Sequence, residues 1–359
     1  MVEWKKLGDI TNRNKGIPIT AGQMQELASD DGNVRVFAAG STIADINESN
    51  LPANCAYKLP SIIVKSRGYI DFEFYEKQFT HKNEMWSYSF EDRELGKFIY
   101  YFLTTKTEFF RKKAKANSVK LPQLCVADTD GYLIPIPSFA ERNRIVGILD
   151  TFTSSIDNLK QQIAERRKQY EYYREQLLDL EGKEGVTMKT LGEVCEVLTG
   201  GEVPEKTIKG QQTPSDSHPF AVYTNGKETY GYADTYQIDS DAVCISSIGA
   251  NTGAVFYKTG KFTPAIRLKV LIPHSDINTK FLYYATMRID FKGRNTGSVP
   301  NINANYVKCR TIQLPSYQDQ SRIVSILDTF EASISNLEAQ LKEREKQYEY
   351  YRDKLLTFV

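Results

Sequence analysis

The sequence has almost no net charge. Its 359 residues hold 46 Lys and Arg against 45 Asp and Glu, a formal +1 at pH 7. That balance excludes a uniformly basic nucleic-acid coat and an acidic disordered tail, but not a local basic face. Cysteine is scarce and scattered, at 55, 125, 195, 244 and 309. An odd number with no close pair suggests neither a disulfide framework nor a zinc ribbon, and reduced buried thiols are expected. His81, His218 and His274 stand too far apart for a ligand motif. Each is expected to be a surface or packed imidazole, with no metal site. No apolar run reaches about 18 residues, so neither a spanning helix nor a membrane partner is expected. Met1-Val2-Glu3-Trp4-Lys5-Lys6 has no apolar signal-peptide core, which suggests a cytoplasmic protein. Also missing are a Gly-x-Gly-x-x-Gly turn, a P-loop, a Gly-x-Ser-x-Gly elbow and the Asn/Asp-Pro-Pro-Tyr/Phe run of amino-methyltransferases. Glu343 and Glu345 fall on a helical repeat, not in a nuclease context. No catalytic residue and no cofactor are expected in this chain.

What is present is a repeat, and repeats decide architecture. Pro137 to Leu178 aligns with Pro315 to Leu356 at a constant offset of 178, with 26 of 42 positions identical. Ile-Leu-Asp-Thr-Phe occurs at 148–152 and 326–330, and Lys-Gln-Tyr-Glu-Tyr-Tyr-Arg at 168–174 and 346–352. The remainder repeats more weakly. Leu7-Gly8-Asp9-Ile10 matches Leu191-Gly192-Glu193-Val194, Val36-Phe37 with Gly40 matches Val222-Tyr223 with Gly226, and Lys97 to Tyr101 matches Lys280 to Tyr284. The plan is a diverged segment and a fixed segment, written twice. The expected divisions are 1–137, 138–181, 182–315 and 316–359.

The fixed segments carry heptads. Ile145, Leu149, Phe152, Ile156, Leu159, Ile163, Tyr170, Tyr173 and Leu177 recur at alternating spacings of four and three, with Arg166 in the remaining place. The second copy has Ile323, Leu327, Phe330, Ile334, Leu337, Leu341, Tyr348, Tyr351 and Leu355, with Arg344 in the equivalent place. Ser138-x-x-Glu141 is a capping box and Ser316-x-x-Asp319 is close to one. Each segment predicts a helix of about 40 residues and about 60 Å. Two such seams in one chain most simply bury each other, antiparallel, under pseudo-twofold symmetry. Arg166 and Arg344 either snorkel over apolar surface or fix register or a partner contact.

The diverged segments mix short β runs with one helical stretch each, Leu95 to about Lys115 and Asn278 to about Phe291. That mixture predicts an α+β domain. Charge is local here. Residues 106–120 hold Lys106, Arg111, Lys112, Lys113, Lys115 and Lys120 against Glu108, a net +5. Residues 278–303 hold Lys280, Arg288, Lys292 and Arg294 against Asp290, a net +3. Each stretch leads into a polar loop, with Asn117 and Ser118 in one and Asn295, Thr296, Ser298 and Asn301 in the other. A lone basic run is first of all a solvated helix face. Its recurrence at equivalent places favours phosphate contacts, with Asn, Ser and Thr reaching base edges. Glycine-bearing loops add Lys65, Ser66 and Arg67, then Asn251 and Thr252 at the corresponding place, and Thr224, Asn225 and Lys227 at a turn. Those glycines serve equally well as hairpin residues.

These residues resemble the specificity subunits of type I restriction–modification systems over essentially the whole chain. The likeness rests on Ile136-Pro137-Ser138 to Leu149, Leu314-Pro315-Ser316 to Leu327, Leu7-Gly8-Asp9, Leu191-Gly192-Glu193 and Asn301-Ile302-Asn303. The family's Glu-Gln ahead of Arg-Ile-Val is replaced by Ala140-Glu141-Arg142-Asn143 and Gln318-Asp319-Gln320. The resemblance implies two target-recognition domains, each reading one half of a bipartite asymmetric site in double-stranded DNA. It implies helices that set the spacer and dock two methyltransferase subunits, which bind S-adenosylmethionine and methylate adenine N6. A restriction subunit, where the system has one, would add ATP- and Mg-dependent translocation and cleavage. Three other readings stay open: a non-DNA interaction scaffold, a specificity subunit of a related system without a translocating subunit, and a self-contained methyltransferase or nuclease. The missing motifs disfavour the last. Met188 precedes the second half, so an internal start there would give a half-length product.

Overall fold

The computed structural model describes residues 2–118, 120–291 and 302–358. The chain forms two compact units. One comprises Met1–Gln161 with Glu338–Val359, the other Gln162–Leu337. Each long helix is thus shared between units, where the sequence divisions kept it whole.

The first unit begins with β1 (Glu3–Lys6), β2 (Asn12–Lys15), helix α1 (Ala21–Leu27), β3 (Val34–Phe37) and β4 (Ile43–Ile46). It continues through β5 (Ser61–Lys65), β6 (Asp71–Tyr75), β7 (Phe79–His81) and β8 (Trp86–Ser89). Helices α2 (Arg93–Thr104), α3 (Thr107–Asn117) and α4 (Val126–Asp130), then β9 (Leu133–Ile136), lead into α5 (Phe139–Leu178). A four-stranded antiparallel sheet runs β2-β8-β5-β6, and a smaller one β4-β3-β7 with β3 parallel to β7. Ile62, Ile63 and Val64 of β5 are all fully buried. Such a continuous apolar run marks a strand covered on both faces. β1 pairs with β9 and so closes the domain beside the start of α5.

Sequence reading gave one helix where α2 and α3 stand. The chain turns at Thr105 and Lys106, because threonine hydroxyls compete for backbone carbonyls. Thr104 Oγ1 donates to Tyr101 O and Thr105 Oγ1 to Phe102 O, each at 2.7 Å.

The second unit follows the same plan. Its elements are β10 (Thr187–Thr190), α6 (Leu191–Val194), β11 (Cys195–Thr199), β12 (Ile208–Lys209), β13 (Phe220–Tyr223), β14 (Thr229–Ala233) and β15 (Ile238–Asp239). Then come β16 (Ala242–Ile245), β17 (Val255–Lys258), β18 (Lys261–Pro264), β19 (Lys269–Pro273), α7 (Thr279–Met287), α8 (Ala304–Lys308), β20 (Thr311–Leu314) and α9 (Tyr317–Leu355). The four-stranded sheet is β11-β19-β16-β17, the counterpart of β2-β8-β5-β6. The smaller sheet has grown to β12-β14-β13-β18-β15 and keeps a parallel pair, β13 with β18. The expected α+β class and long paired helices are what the chain forms.

Within the first unit, α5 and the end of α9 run antiparallel. Phe152 stacks on Tyr351 with centroids 5.4 Å apart, and the Arg344 guanidinium lies 5.7 Å from the Phe152 ring. Within the second, Tyr173 stacks on Phe330 at 5.4 Å, and Arg166 lies 5.8 Å from Phe330. Each seam arginine therefore covers an aromatic ring of the facing helix, a cation–π placement. The seam is driest near the domains, at Ile145, Leu149, Ile323 and Leu327, whereas Tyr173 and Tyr351 are partly open to solvent.

The expectation of buried thiols holds for Cys55, Cys195 and Cys244, while Cys125 and Cys309 are exposed. Among the described residues no helix is long and apolar enough to cross a membrane, and no cluster of metal-ligating side chains occurs.

Candidate nucleic-acid interface

Both units build the same loop cluster at one end of the four-stranded sheet. Its hub is a buried serine after the central strand, Ser66 after β5 and Ser247 after β16. Ser66 Oγ donates to Glu84 O and Ser247 Oγ to Arg267 O, each at 2.6 Å. The carbonyl of Ser66 accepts from Leu124 N at 2.8 Å, and that of Ser247 from Ile302 N at 2.9 Å. A glycine lies beneath each cluster. A Cβ on Gly16 would sit 2.1 Å from Lys82 O, and one on Gly200 would sit 2.8 Å from Ala265 N. Only glycine permits the turn to cross so closely. One tight turn is thereby pinned in each unit, Lys82–Met85 and Ala265–Leu268, each closed by a hydrogen bond from its last amide to its first carbonyl.

The shared frame fixes where the residues singled out from sequence fall. In the first unit Arg67 is exposed beside Tyr69, itself 57% exposed. Arg111 stacks 5.1 Å from the Tyr69 ring, and its Nε donates to Ile70 O at 3.1 Å. The basic helix α3 is thus tied to the loop carrying Arg67. Lys112, Lys113, Lys115 and Lys120 are exposed, with Lys113 3.4 Å from Asp128. Ser118 is half-buried at the end of α3. Lys65 is engaged by Glu73 at 2.7 Å. Asn117 directs its amide inward, to Gln123 O at 3.2 Å and Asp128 Oδ2 at 2.8 Å.

In the second unit Asn251 is exposed, its Nδ2 donating to Asn225 O at 3.3 Å, and Thr252 is buried. Thr224 is half-buried and Lys227 exposed. The Asn225 amide faces inward. Its Oδ1 accepts from Ser247 N at 2.7 Å and its Nδ2 donates to Ile266 O. Asn225, Ser66 and Thr252 therefore hold loops in shape. Lys280 and Arg288 are also structural. Lys280 pairs with Asp328 at 2.8 Å, while Arg288 donates to Leu178 O and lies 3.8 Å from Glu175. Lys292, Arg294, Asn295, Thr296, Ser298 and Asn301 lie outside the described residues.

Sequence reading missed the joints between domain and helix. Asp150 of α5 accepts from Lys97 Nζ at 2.7 Å and Tyr101 OH at 2.5 Å. Asp328 of α9 accepts from Lys280 Nζ at 2.8 Å and Tyr284 OH at 2.9 Å. Burial raises the phenols of Tyr101 and Tyr284 above the usual tyrosine range, the carboxylates adding to the shift, so both remain donors. A second joint recurs where Arg142 reaches the helix-capping Asp92 at 2.8 Å and Gln320 Oε1 accepts from Asn278 N at 2.8 Å. The signal was present: an aspartate in the heptad repeat, and a Lys-Phe-x-Tyr-Tyr run opposite it in both copies.

The two α+β domains thus share one frame and differ in their exposed tips, and an exposed basic helix flanks the first. The family model for the type I restriction modification DNA specificity domain matches residues 1–166 and 183–345. The specificity subunit of the type I restriction enzyme EcoR124I/EcoR124II of Escherichia coli is 30% identical over 399 residues, covering 99% of this chain and 94% of that one. The type I restriction–modification S subunit from M. genitalium superposes with a TM-score of 0.71 at 17% identity, covering 100% of this chain and 97% of that one. A chain from a study of type I complex assembly and conformational transition gives a TM-score of 0.55 at 15% identity over 99% and 97%. The chain belongs to the type I restriction–modification specificity-subunit family. Its work is DNA sequence recognition within a multisubunit complex; such subunits are not themselves catalytic.

Proposed function

We propose that each unit reads one half of a bipartite, asymmetric DNA site, and that the two long helices set the spacer and dock two methyltransferase subunits. The observation that carries this reading is the shared loop frame with different exposed residues. A fixed frame with exchanged tips suits two dissimilar half-sites, as paired readers in other proteins suit palindromic ones. Arg67, Arg111, Lys112, Lys113, Lys115 and Lys120 would contact phosphates in the first unit. In the second, Lys227, Asn251 and the stretch with Lys292, Arg294, Asn295, Thr296, Ser298 and Asn301 would line the duplex. Exposed aromatics recur at equivalent places on the helices, Phe139 with Tyr317 and Tyr172 with Tyr350. Two copies of one methyltransferase would find the same foothold twice. S-adenosylmethionine would bind in those partners, and ATP with Mg in a restriction subunit where the system has one.

The test is to map methylated adenines in host DNA with and without this chain. The expected result is one bipartite motif with a constant spacer that vanishes when the chain is deleted. An unchanged methylation pattern would sink the reading and favour a non-DNA scaffold.

A further inference from the structure

The turn Ala265–Leu268 is strained in a way its counterpart is not. Ile266 and Arg267 have φ of 52° and 60°, so both central residues are left-handed. This is the geometry of a type I′ turn, whose usual occupants are Asn-Gly. A β-branched isoleucine is among the residues least suited to it. The strain persists because every backbone polar group of the pair is held. Ile266 N donates to Gly201 O at 2.7 Å and Arg267 N to Gly200 O at 3.0 Å. Asn225 Nδ2 donates to Ile266 O, and Ser247 Oγ to Arg267 O at 2.6 Å. Yet the side chains gain nothing inside. Ile266 is 40% exposed, and Arg267 is exposed.

The first unit folds the same turn without the strain. Asn83 N donates to Ile17 O at 3.0 Å and Ser66 holds Glu84 O, but neither Asn83 nor Glu84 is left-handed. The place of Asn225 is taken there by Ala39. The frame therefore does not require the strained form. Strain of this kind, enforced from outside, accompanies functional sites.

We propose, resting on the DNA-recognition reading above, that the turn Ala265–Leu268 is a base-reading edge of the second unit. Arg267 donates to O6 and N7 of a guanine in the major groove, the commonest arginine contact to a base. Ile266 packs on a neighbouring thymine methyl. Ile266 and Arg267 line an open cavity of about 490 Å³ together with Val203, Ile248 and Glu202. The Glu202 carboxylate makes this edge less favourable to a fully charged phosphate than to a neutral base. In the first unit the place of Ile266 is held by the exposed Asn83, whose amide matches adenine N6 and N7, and that of Arg267 by Glu84, which pairs with Lys82 at 2.9 Å.

The experiment maps methylated motifs in host DNA for complexes carrying the wild-type chain, Arg267→Ala or Arg267→Gly. Glycine accepts the left-handed backbone, so Arg267→Gly keeps the fold while removing the side chain. The expected result for both variants is relaxation of one guanine position in one half of the motif, discrimination there falling roughly 10- to 100-fold. The other half and the spacer stay as they were. An unchanged motif, or uniform loss of methylation without change at any one position, would overturn the proposal. A wild-type chain on which no motif depends would instead refute the underlying DNA reading, so the two failures are distinct.

Discussion

His81 lies fully buried in the first unit, where Nδ1 bonds Lys82 O at 3.2 Å and Nε2 bonds Ser87 Oγ at 3.1 Å. Those partners suit a neutral ring that donates from one nitrogen and accepts at the other. Burial pushes its pKa from 6.5 down to about 4, against a small opposing pull from the Lys82 carbonyl and Glu84. The unfolded chain thus takes up the proton first. The stability contributed is intact above about pH 6.5 and is lost as pH falls toward 4, by about 3 kcal/mol in all. Urea midpoints measured across that window should fall for the wild-type chain and flatten for His81→Gln; parallel profiles would contradict the buried neutral ring. A second expectation concerns Ile266. Glycine relieves the left-handed strain, and a half-exposed side chain covers little apolar surface, so Ile266→Gly should raise stability by about 1 kcal/mol. A lower denaturation midpoint would show that the turn is relaxed. At this scale the sequence is least legible. Ser66, Asn225 and Thr252 have the composition of base readers, but a polar residue in a glycine-bearing loop does not reveal whether it points at solvent or at the next carbonyl.

Elements were more legible than residues, because periodicity averages over many side chains. The heptads gave both long helices to within a few residues, since each apolar place is repeated in register. Periodicity did not show what fastens domain to helix, because a single aspartate leaves no period. Asp150 and Asp328 do that work, and the two joints should differ in strength. The Lys97–Asp150 side chains are 17% and 28% exposed, against 34% and 36% for Lys280–Asp328. Solvent screens the second pair more. Asp150→Asn should therefore destabilise by about 2 kcal/mol and Asp328→Asn by about 1 kcal/mol, each leaving a lysine without its carboxylate. Lys97→Met added to Asp150→Asn should recover part of the loss. Additive effects in that double-mutant cycle would mean that the pair is not coupled.

At the scale of the whole molecule the near-zero net charge conceals an uneven distribution. The basic stretch at 106–120 leaves most of its charge in solvent, whereas two of the four cations at 278–303, Lys280 and Arg288, are spent within the unit. Sequence treated the two stretches as equivalents, since a run of lysine and arginine looks the same whether or not a carboxylate stands opposite. Replacing Arg111, Lys112 and Lys113 together by alanine tests the exposed one. Each phosphate neutralised contributes about 0.9 to the slope of log K against log salt. Lys113 lies beside Asp128, and Arg111 is partly engaged by Ile70 and Tyr69, so the three side chains together should neutralise fewer than three phosphates. The slope should flatten by roughly 1–2, with affinity falling alike for cognate and unrelated duplexes. The measurement needs the chain assembled with its methyltransferase partners, titrated with both duplexes over a range of salt. An unchanged slope would remove α3 from the interface, and weakening confined to the cognate duplex would make these residues readers of bases instead of phosphates.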